Sequence, residues 1–128
     1  MNIPLFDAIA DLLIPAASDM PSASRAAVGT TGLAEVLKFR PELKAILEAV
    51  LAQCEGKSAQ DALKSLDGDS RGILAEIVAS AYFMNAEVRA RLHYHGQSAK
   101  AIVPETIDPA LLQPVLERGA IYRETKST

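Results

Sequence analysis

The 128-residue chain has the length of one domain, is 49% hydrophobic but only 5% aromatic, and carries a formal net charge of −3. This composition favours packed helices over sheets, which are richer in β-branched and aromatic residues. Acids outnumber bases, and the Lys and Arg residues are scattered along the chain; a nucleic-acid partner is therefore not expected. The sequence predicts an all-α protein. It would form a single domain over residues 1–128, a compact bundle of about five to six helices with an extended arm at about 94–107 and a C-terminal tail at about 120–128.

The first predicted helix spans about residues 3–14. Apolar residues recur there at helical spacing, and Pro4 suits the first turn. Pro15 ends this helix because it has no amide hydrogen to donate and disfavours the helical conformation in Ile14. The following PAASDMPSASRAAVGTTG is rich in Pro, Ser and Gly. It predicts an ordered loop with a short turn at 22–27.

Two helices are predicted from Thr31 onward. They are joined at Arg40, and Pro41 would take the first position of the second helix. Gly56 stands where a C-terminal cap belongs. The apolar residues of the second helix follow helical spacing and are predicted to lie in the core: Leu43, Ile46, Leu47, Val50, Leu51 and Cys54.

Capping residues mark the helices that follow. Ser58 is predicted to cap a short helix that ends at Asp67–Gly68, and Asp69 or Ser70 to cap the next one. Asn85 is predicted to cap a further short helix before the arm begins. Two apolar residues of that helix are predicted to face inward, Val88 and Leu92.

One more helix is predicted near the C-terminus. Asp108 is its expected cap, Pro109 takes the first helical position, and Gly119 ends it. Pro114 is expected to distort it. Its apolar face would consist of Leu111, Leu112, Val115 and Leu116.

Catalytic and metal-binding motifs are weak in this sequence. His93 and His95 would supply two metal nitrogens if a third ligand came from elsewhere, but no nearby Cys, Asp or Glu has metal-site spacing. Cys54 is the only cysteine, so it forms no internal disulfide and is predicted to be a small buried apolar residue. No nucleophile, phosphate-binding or dinucleotide-binding motif is present. No catalytic residue, cofactor site or metal site is therefore predicted.

The stretch AYFMNAEVRARLHYHGQSA, residues 81–99, contains two of the three tyrosines and both histidines. Aromatic residues and Arg are enriched at protein interfaces. A contact surface that includes Arg89, Arg91, Tyr94 and Tyr122 is therefore a hypothesis that the composition supports.

Short motifs in two stretches, DLLIPAASDMPSASRAAVG and AYFMNAEVRARLHYHGQ, carry a family resemblance. They are Ile14-Pro15, Pro21 and the small residues after it, Val28-Gly29, Tyr82-Phe83, Asn85, Glu87, Leu92, Tyr94 and Gly96. In these motifs the chain resembles the gluconate 2-dehydrogenase subunit 3 family, the small or gamma subunits that accompany flavin-dependent GMC oxidoreductases. The C-terminal DPALLQPVLERGAIYR is also similar to the tails of such proteins. The chain departs from the family at His93 and His95, where Gly and Pro are expected in a Leu-Gly-Tyr-Pro-Gly pattern, and at Ala86 in place of Pro.

The resemblance implies a non-catalytic helical subunit that binds a large GMC-type subunit. That subunit would hold FAD and oxidise a sugar, polyol or glycoside hydroxyl, while this chain would hold no cofactor. The residues expected at the interface are Tyr82, Phe83, Arg89, Arg91, Tyr94, His95, Gly96, Gln97, Ile121, Tyr122 and Arg123.

Many relatives in that family carry a twin-arginine leader, and none is visible here. No apolar run is long enough for direct membrane insertion. A cytoplasmic location is expected, or a periplasmic one only if a partner carries the chain there. Two alternatives stay open: a free-standing helical homo-oligomer, and a metal-binding protein that uses His93 and His95.

Overall fold

The computed structural model describes residues 1–99 and 108–121, and the chain divides into two units, residues 1–96 and 97–128. The described residues contain seven α-helices and no strand, which confirms the all-α prediction. The first unit holds α1 (Ile3–Leu13), α2 (Leu33–Phe39), α3 (Leu43–Gln53), α4 (Ala59–Ser65), α5 (Gly68–Met84) and α6 (Ala86–Arg91); the second holds a 3₁₀ turn (Pro109–Leu111) and α7 (Gln113–Arg118). Within the described ranges, no helix is both long and apolar enough to cross a membrane.

Helix α5 is the centre of the first unit. It packs against α1, α2, α3 and α6. Its buried residues recur at the spacing of one helical face, which accounts for a single contiguous core. These residues are Leu74, Ile77, Val78, Ala81 and Tyr82. Phe6 and Ile9 of α1 and Leu47 of α3 complete the middle of this core, each fully buried.

Several predicted helix ends are confirmed. Helix α1 ends at Leu13, two residues before Pro15. The side chain of Ser58 accepts a hydrogen bond from the amide of Asp61 and caps α4. These signals act within about one helical turn, so the local sequence is sufficient to place them. The C-terminal cap of α3 is Cys54 and not the predicted Gly56, which lies two residues further on with a left-handed φ of 74°.

The start of α5 corrects the sequence prediction. Asp67, and not Asp69 or Ser70, caps this helix, because its Oδ1 accepts a 2.7 Å hydrogen bond from the amide of Ser70. Gly68 therefore begins α5 instead of ending α4, which stops at Ser65. An Asp-Gly pair is compatible with a helix end or with a cap and a new helix, and here the second arrangement is formed.

The starts of α2 and α3 also differ from prediction. A π-helical turn at Val28–Gly32 precedes α2, which begins at Leu33 and not at Thr31. Pro41 lies in the turn before α3 instead of at its first helical position. Because a π turn depends on an extra residue being accommodated by packing, no propensity signal anticipates it.

Two apolar residues predicted for the core are exposed instead. Ile46 is 39% exposed and Leu92 is 48% exposed. Helix α3 packs mainly through the strip around Leu47, and Ile46 lies at the edge of that strip. Helix α6 ends at Arg91, so Leu92 lies beyond its last turn.

The second unit contains no buried residue in its described parts, 97–99 and 108–121. As predicted, Asp108 caps the 3₁₀ turn and Gly119 follows α7 with a φ of 69°. The predicted helix is divided near Pro114, as expected: the 3₁₀ turn ends at Leu111, and α7 begins at Gln113 with Pro114 in its first turn, where proline is tolerated. The predicted apolar face is 52–73% exposed at Leu111, Leu112, Val115 and Leu116.

The predicted arm contains neither helix nor strand over residues 94–99. Its remainder, 100–107, lies outside the described residues, as do 122–128 of the predicted tail. Tyr122 and Arg123 of the expected interface belong to that last segment.

Candidate partner-binding surface

The loop between α1 and α2 is held by side chains from α5, α6 and their junction. Tyr82 donates a 2.7 Å hydrogen bond to the carbonyl oxygen of Pro21, and Asn85 donates one of 3.0 Å to that of Ala26. Arg91 donates to the carbonyl oxygen of Asp19. These three bonds bring together the two stretches that carry the family resemblance, although they lie about 60 or more residues apart in sequence.

Tyr82 is therefore an anchor for this loop and not an exposed contact. It is 3% exposed, and its ring meets that of Phe83 edge to face at a centroid distance of 5.4 Å. Burial raises the pKa of its phenol, and the charge of Arg91 opposes that rise only in part. The phenol accordingly stays protonated and able to donate to Pro21.

Asn85 both caps α6 and holds the loop against the start of that helix. Its Oδ1 accepts hydrogen bonds from the amides of Glu87 and Val88, at 2.8 and 3.1 Å, which confirms the predicted cap of α6. Its Nδ2 makes the bond to Ala26. One side chain thus determines both where α6 begins and where the loop lies against it.

The C-terminal end of α6 forms a Schellman motif. The amide of Tyr94 donates to the carbonyl of Arg89 at 2.9 Å, and the amide of His93 donates to that of Ala90 at 3.0 Å. His93 holds the left-handed position of this motif with a φ of 54°, a position that usually belongs to glycine. The resemblance expects Gly at this same residue.

We expect His93→Gly to stabilise the first unit by about 0.5–1 kcal/mol, because glycine adopts a positive φ without the steric cost of a Cβ. Chemical denaturation monitored by circular dichroism would measure the change. His95→Gly is the matched control, since His95 has no positive φ and its replacement should give no gain. Equal effects of the two substitutions would contradict the left-handed conformation at His93.

Three of the predicted interface residues line one surface cavity. Arg89, Tyr94 and His95 surround it together with Ala86 and Ala90, and its volume is about 230 Å³. Tyr94 is 57% exposed. We call this cavity the Tyr94 pocket.

A second cavity of about 210 Å³ adjoins the Tyr94 pocket and shares Ala86 with it. Glu35 of α2 and Met84 of α5 lie on its wall, and neither was among the residues predicted from sequence. The floor is narrow, because a Cβ added at Gly32 would stand 3.0 Å from the Cβ of Ala81. Only the packing of α2 on α5 brings these residues together, so the sequence pattern carried no signal for them.

The remaining predicted residues lie elsewhere. Arg91 lines a separate cavity of about 240 Å³ beside the loop, together with Arg25 and Asp19. Phe83 is 53% exposed and borders none of these three cavities. Gly96 and Gln97 are exposed, and Ile121 of the second unit is 70% exposed.

The middle of the loop is held to α1 by Asp11. Its two carboxylate oxygens accept hydrogen bonds from Ser24, at 2.8 Å from the amide and 2.6 Å from the hydroxyl. The hydroxyl of Ser22 lies 3.3 Å from that of Ser24. Burial by itself raises the pKa of the Asp11 carboxyl, but the hydrogen bonds from Ser24 and Ser22 outweigh it and leave the pKa below its ordinary value of 3.8.

This lowered pKa predicts a loss of stability in acid. A carboxyl whose pKa is lower in the folded state stabilises the fold above its unfolded pKa, and that contribution disappears as the pH falls through the folded value. The stability difference between the wild type and Asp11→Asn should therefore be constant near neutral pH and shrink below about pH 4. Thermal melts from pH 7 to pH 2 would measure it. A difference that stayed the same from pH 7 to pH 2 would contradict the lowered pKa of Asp11.

The described part of the chain offers little for metal binding or nucleophilic catalysis. No group of three His, Cys, Asp or Glu side chains lies close enough to hold a metal ion among the residues searched there. Cys54 is buried as predicted, and burial raises the pKa of its thiol, so the reactive thiolate is disfavoured.

Comparison with known proteins adds no identification. No known protein-family model, no curated protein and no solved structure matches this chain. The gluconate 2-dehydrogenase subunit 3 resemblance therefore stays a prediction.

Proposed function

We propose that this chain is a non-catalytic small subunit that binds and stabilises a large FAD-dependent GMC-type oxidoreductase. The large subunit would act on a sugar, polyol or glycoside hydroxyl and would hold the flavin. This chain would provide a surface that binds the large subunit, and none of its side chains would take part in the oxidation.

The observation that supports this proposal is where the exposed apolar side chains lie. Among the described residues of the first unit, the large apolar side chains exposed near the end of α5 and around α6 are Phe83, Met84, Leu92 and Tyr94. Those exposed in the described part of the second unit are Leu111, Leu112, Val115, Leu116 and Ile121. Exposed large apolar side chains that lie close together within a unit commonly mark a protein-binding surface. A stable accessory subunit would be expected to bury about 2,000 Å² or more in total with its partner.

The local geometry also supports a binding role. Tyr94 is held by the Schellman motif at its own amide, so its backbone needs little ordering when a partner binds. Arg and Tyr are the residue types that most often dominate binding energy. Both line the Tyr94 pocket.

The test is co-expression with a GMC-type flavoprotein whose gene lies beside this one, where such a gene is present, followed by affinity capture and size exclusion. A co-eluting complex that absorbs as a flavoprotein is the expected result. If the flavoprotein is soluble and active but does not bind this chain, the proposal is overturned. Light scattering of this chain alone would then test the homo-oligomer alternative.

Within such a complex, we expect Tyr94→Ala to weaken binding by about tenfold or more, because Tyr94 is exposed and preorganised. Phe39→Ala is the matched control: Phe39 is an aromatic residue of α2, 68% exposed, outside the expected interface. Biolayer interferometry with each purified variant would measure the dissociation constants. Equal losses for the two variants would contradict the assignment of the interface to the Tyr94 pocket.

A further inference from the structure

The Tyr94 pocket combines one cation with a small apolar floor. Arg89 and His95 supply its nitrogen groups, Tyr94 its aromatic wall, and Ala86 and Ala90 its floor. Small residues at the floor allow an incoming chain to approach the helix closely. The pocket is open to solvent, and its volume is enough for one side chain or a short segment.

Arg89 is available to a partner, unlike two other arginines of the first unit. Arg40 forms ion pairs with Glu42 and Glu76, and Arg91 pairs with Glu87 at 2.6 Å. Across residues 1–99 and 108–121, no carboxylate lies within the 4.0 Å ion-pair distance of Arg89. Arg89 therefore places a positive charge at this pocket, although the net charge of the whole chain is −3.

A guanidinium at the edge of an apolar pocket favours a carboxylate, with which it forms paired, charge-assisted hydrogen bonds. The end of α6 also fixes the backbones of Arg89 and Tyr94 relative to each other, through the 2.9 Å hydrogen bond from the Tyr94 amide to the Arg89 carbonyl oxygen. A partner group that meets both must therefore present a carboxylate next to an apolar side chain.

On these grounds we propose that the Tyr94 pocket receives a segment of the large subunit in which an Asp or Glu lies next to an apolar residue. The carboxylate pairs with Arg89, and the apolar side chain packs on Tyr94 and the Ala86 and Ala90 floor. This inference rests on the proposed function, and it specifies the chemistry of the partner at one site.

The test uses the complex of the full chain with the co-expressed flavoprotein. Arg89→Glu should raise the dissociation constant about tenfold or more, since it places like charges together. Arg89→Gln should reduce the salt dependence of binding, which a purely structural role would not do. Arg71→Glu is the matched control, because Arg71 is an exposed arginine of α5 that lines none of the three cavities. Circular dichroism of each variant would check that the fold is retained.

A second measurement identifies the partner group. In the Arg89→Lys variant, a carbodiimide should join the introduced amine to the facing carboxylate as an amide, and mass spectrometry would locate the linked Asp or Glu. The same treatment of Arg71→Lys should give no link from that position.

The outcomes separate the two proposals. If the wild-type complex forms but Arg89→Glu binds unchanged, or no cross-link from position 89 appears, the carboxylate assignment is wrong and the accessory-subunit proposal stands. If the wild-type chain does not bind the flavoprotein, both are overturned.

Discussion

Phe6→Ala is expected to lower the free energy of unfolding by about 3–5 kcal/mol. Phe6 lies on α1 and is the largest of the fully buried side chains in the described core. Helix α1 packs against α4 and α5, so the cavity left by the ring would open at the centre of the first unit. Loss of buried apolar area and incomplete collapse of that cavity both contribute.

Urea denaturation of the full chain would measure this effect, and Phe39→Ala supplies the matched comparison. Phe39 is 68% exposed, so the same substitution there should change stability by about 0.5 kcal/mol or less. Similar losses at the two positions would show that Phe6 does not occupy the core described here. Phe6→Leu should restore part of the lost stability because it refills much of the volume.

Gly29→Ala is expected to destabilise the first unit by about 1–3 kcal/mol. Gly29 is buried in the π turn, and a Cβ there would stand 2.8 Å from Cγ of Asp7 and closer still to its Oδ1. That oxygen is itself buried and accepts no hydrogen bond from the described residues. Either the Asp7 side chain or the turn must therefore move when the methyl group is added.

A double-mutant cycle tests the contact directly. Asp7→Ala removes the carboxylate that the added methyl group would strike, so Gly29→Ala should cost much less in that background. Asp7→Ala alone should cost little, because it removes a buried oxygen that lacks a partner. Strictly additive effects would contradict the close approach of Gly29 and Asp7.

The contact between Gly29 and Asp7 affects the proposed interface because both it and the interface depend on the position of the loop between α1 and α2. Tyr82, Asp11 and Asn85 hold its middle at Pro21, Ser24 and Ala26, and Gly29 near its end lies close to Asp7 of α1. Release of this loop would also free Ala26, which lies on the wall of the cavity that adjoins the Tyr94 pocket. Stability of the core and shape of the binding surface are thus physically linked.

The sequence predicted which residue types belong to the candidate surface, but it did not predict where these residues lie relative to one another. Interface composition pointed to Arg89, Arg91 and Tyr94. The fold places Arg89 and Tyr94 around one pocket and Arg91 in another cavity. Residues two apart diverge on a helix, so this separation of the two arginines follows from α6 itself.

The sequence by itself determined that the fold is all-α and where several helices begin or end. Ser58, Asn85 and Asp108 cap helical turns through hydrogen bonds from amides two or three positions away, so these caps can be read without knowing the fold.

The tertiary structure alone decided which apolar residues are covered and how the binding surface is assembled. Ile46 matches the helical pattern but is exposed, because burial depends on which helix packs opposite. The bonds from Tyr82 to Pro21 and from Asn85 to Ala26 join residues about 60 positions apart. Such contacts form only when the core is complete, since their geometry is set by helices that are distant in the chain.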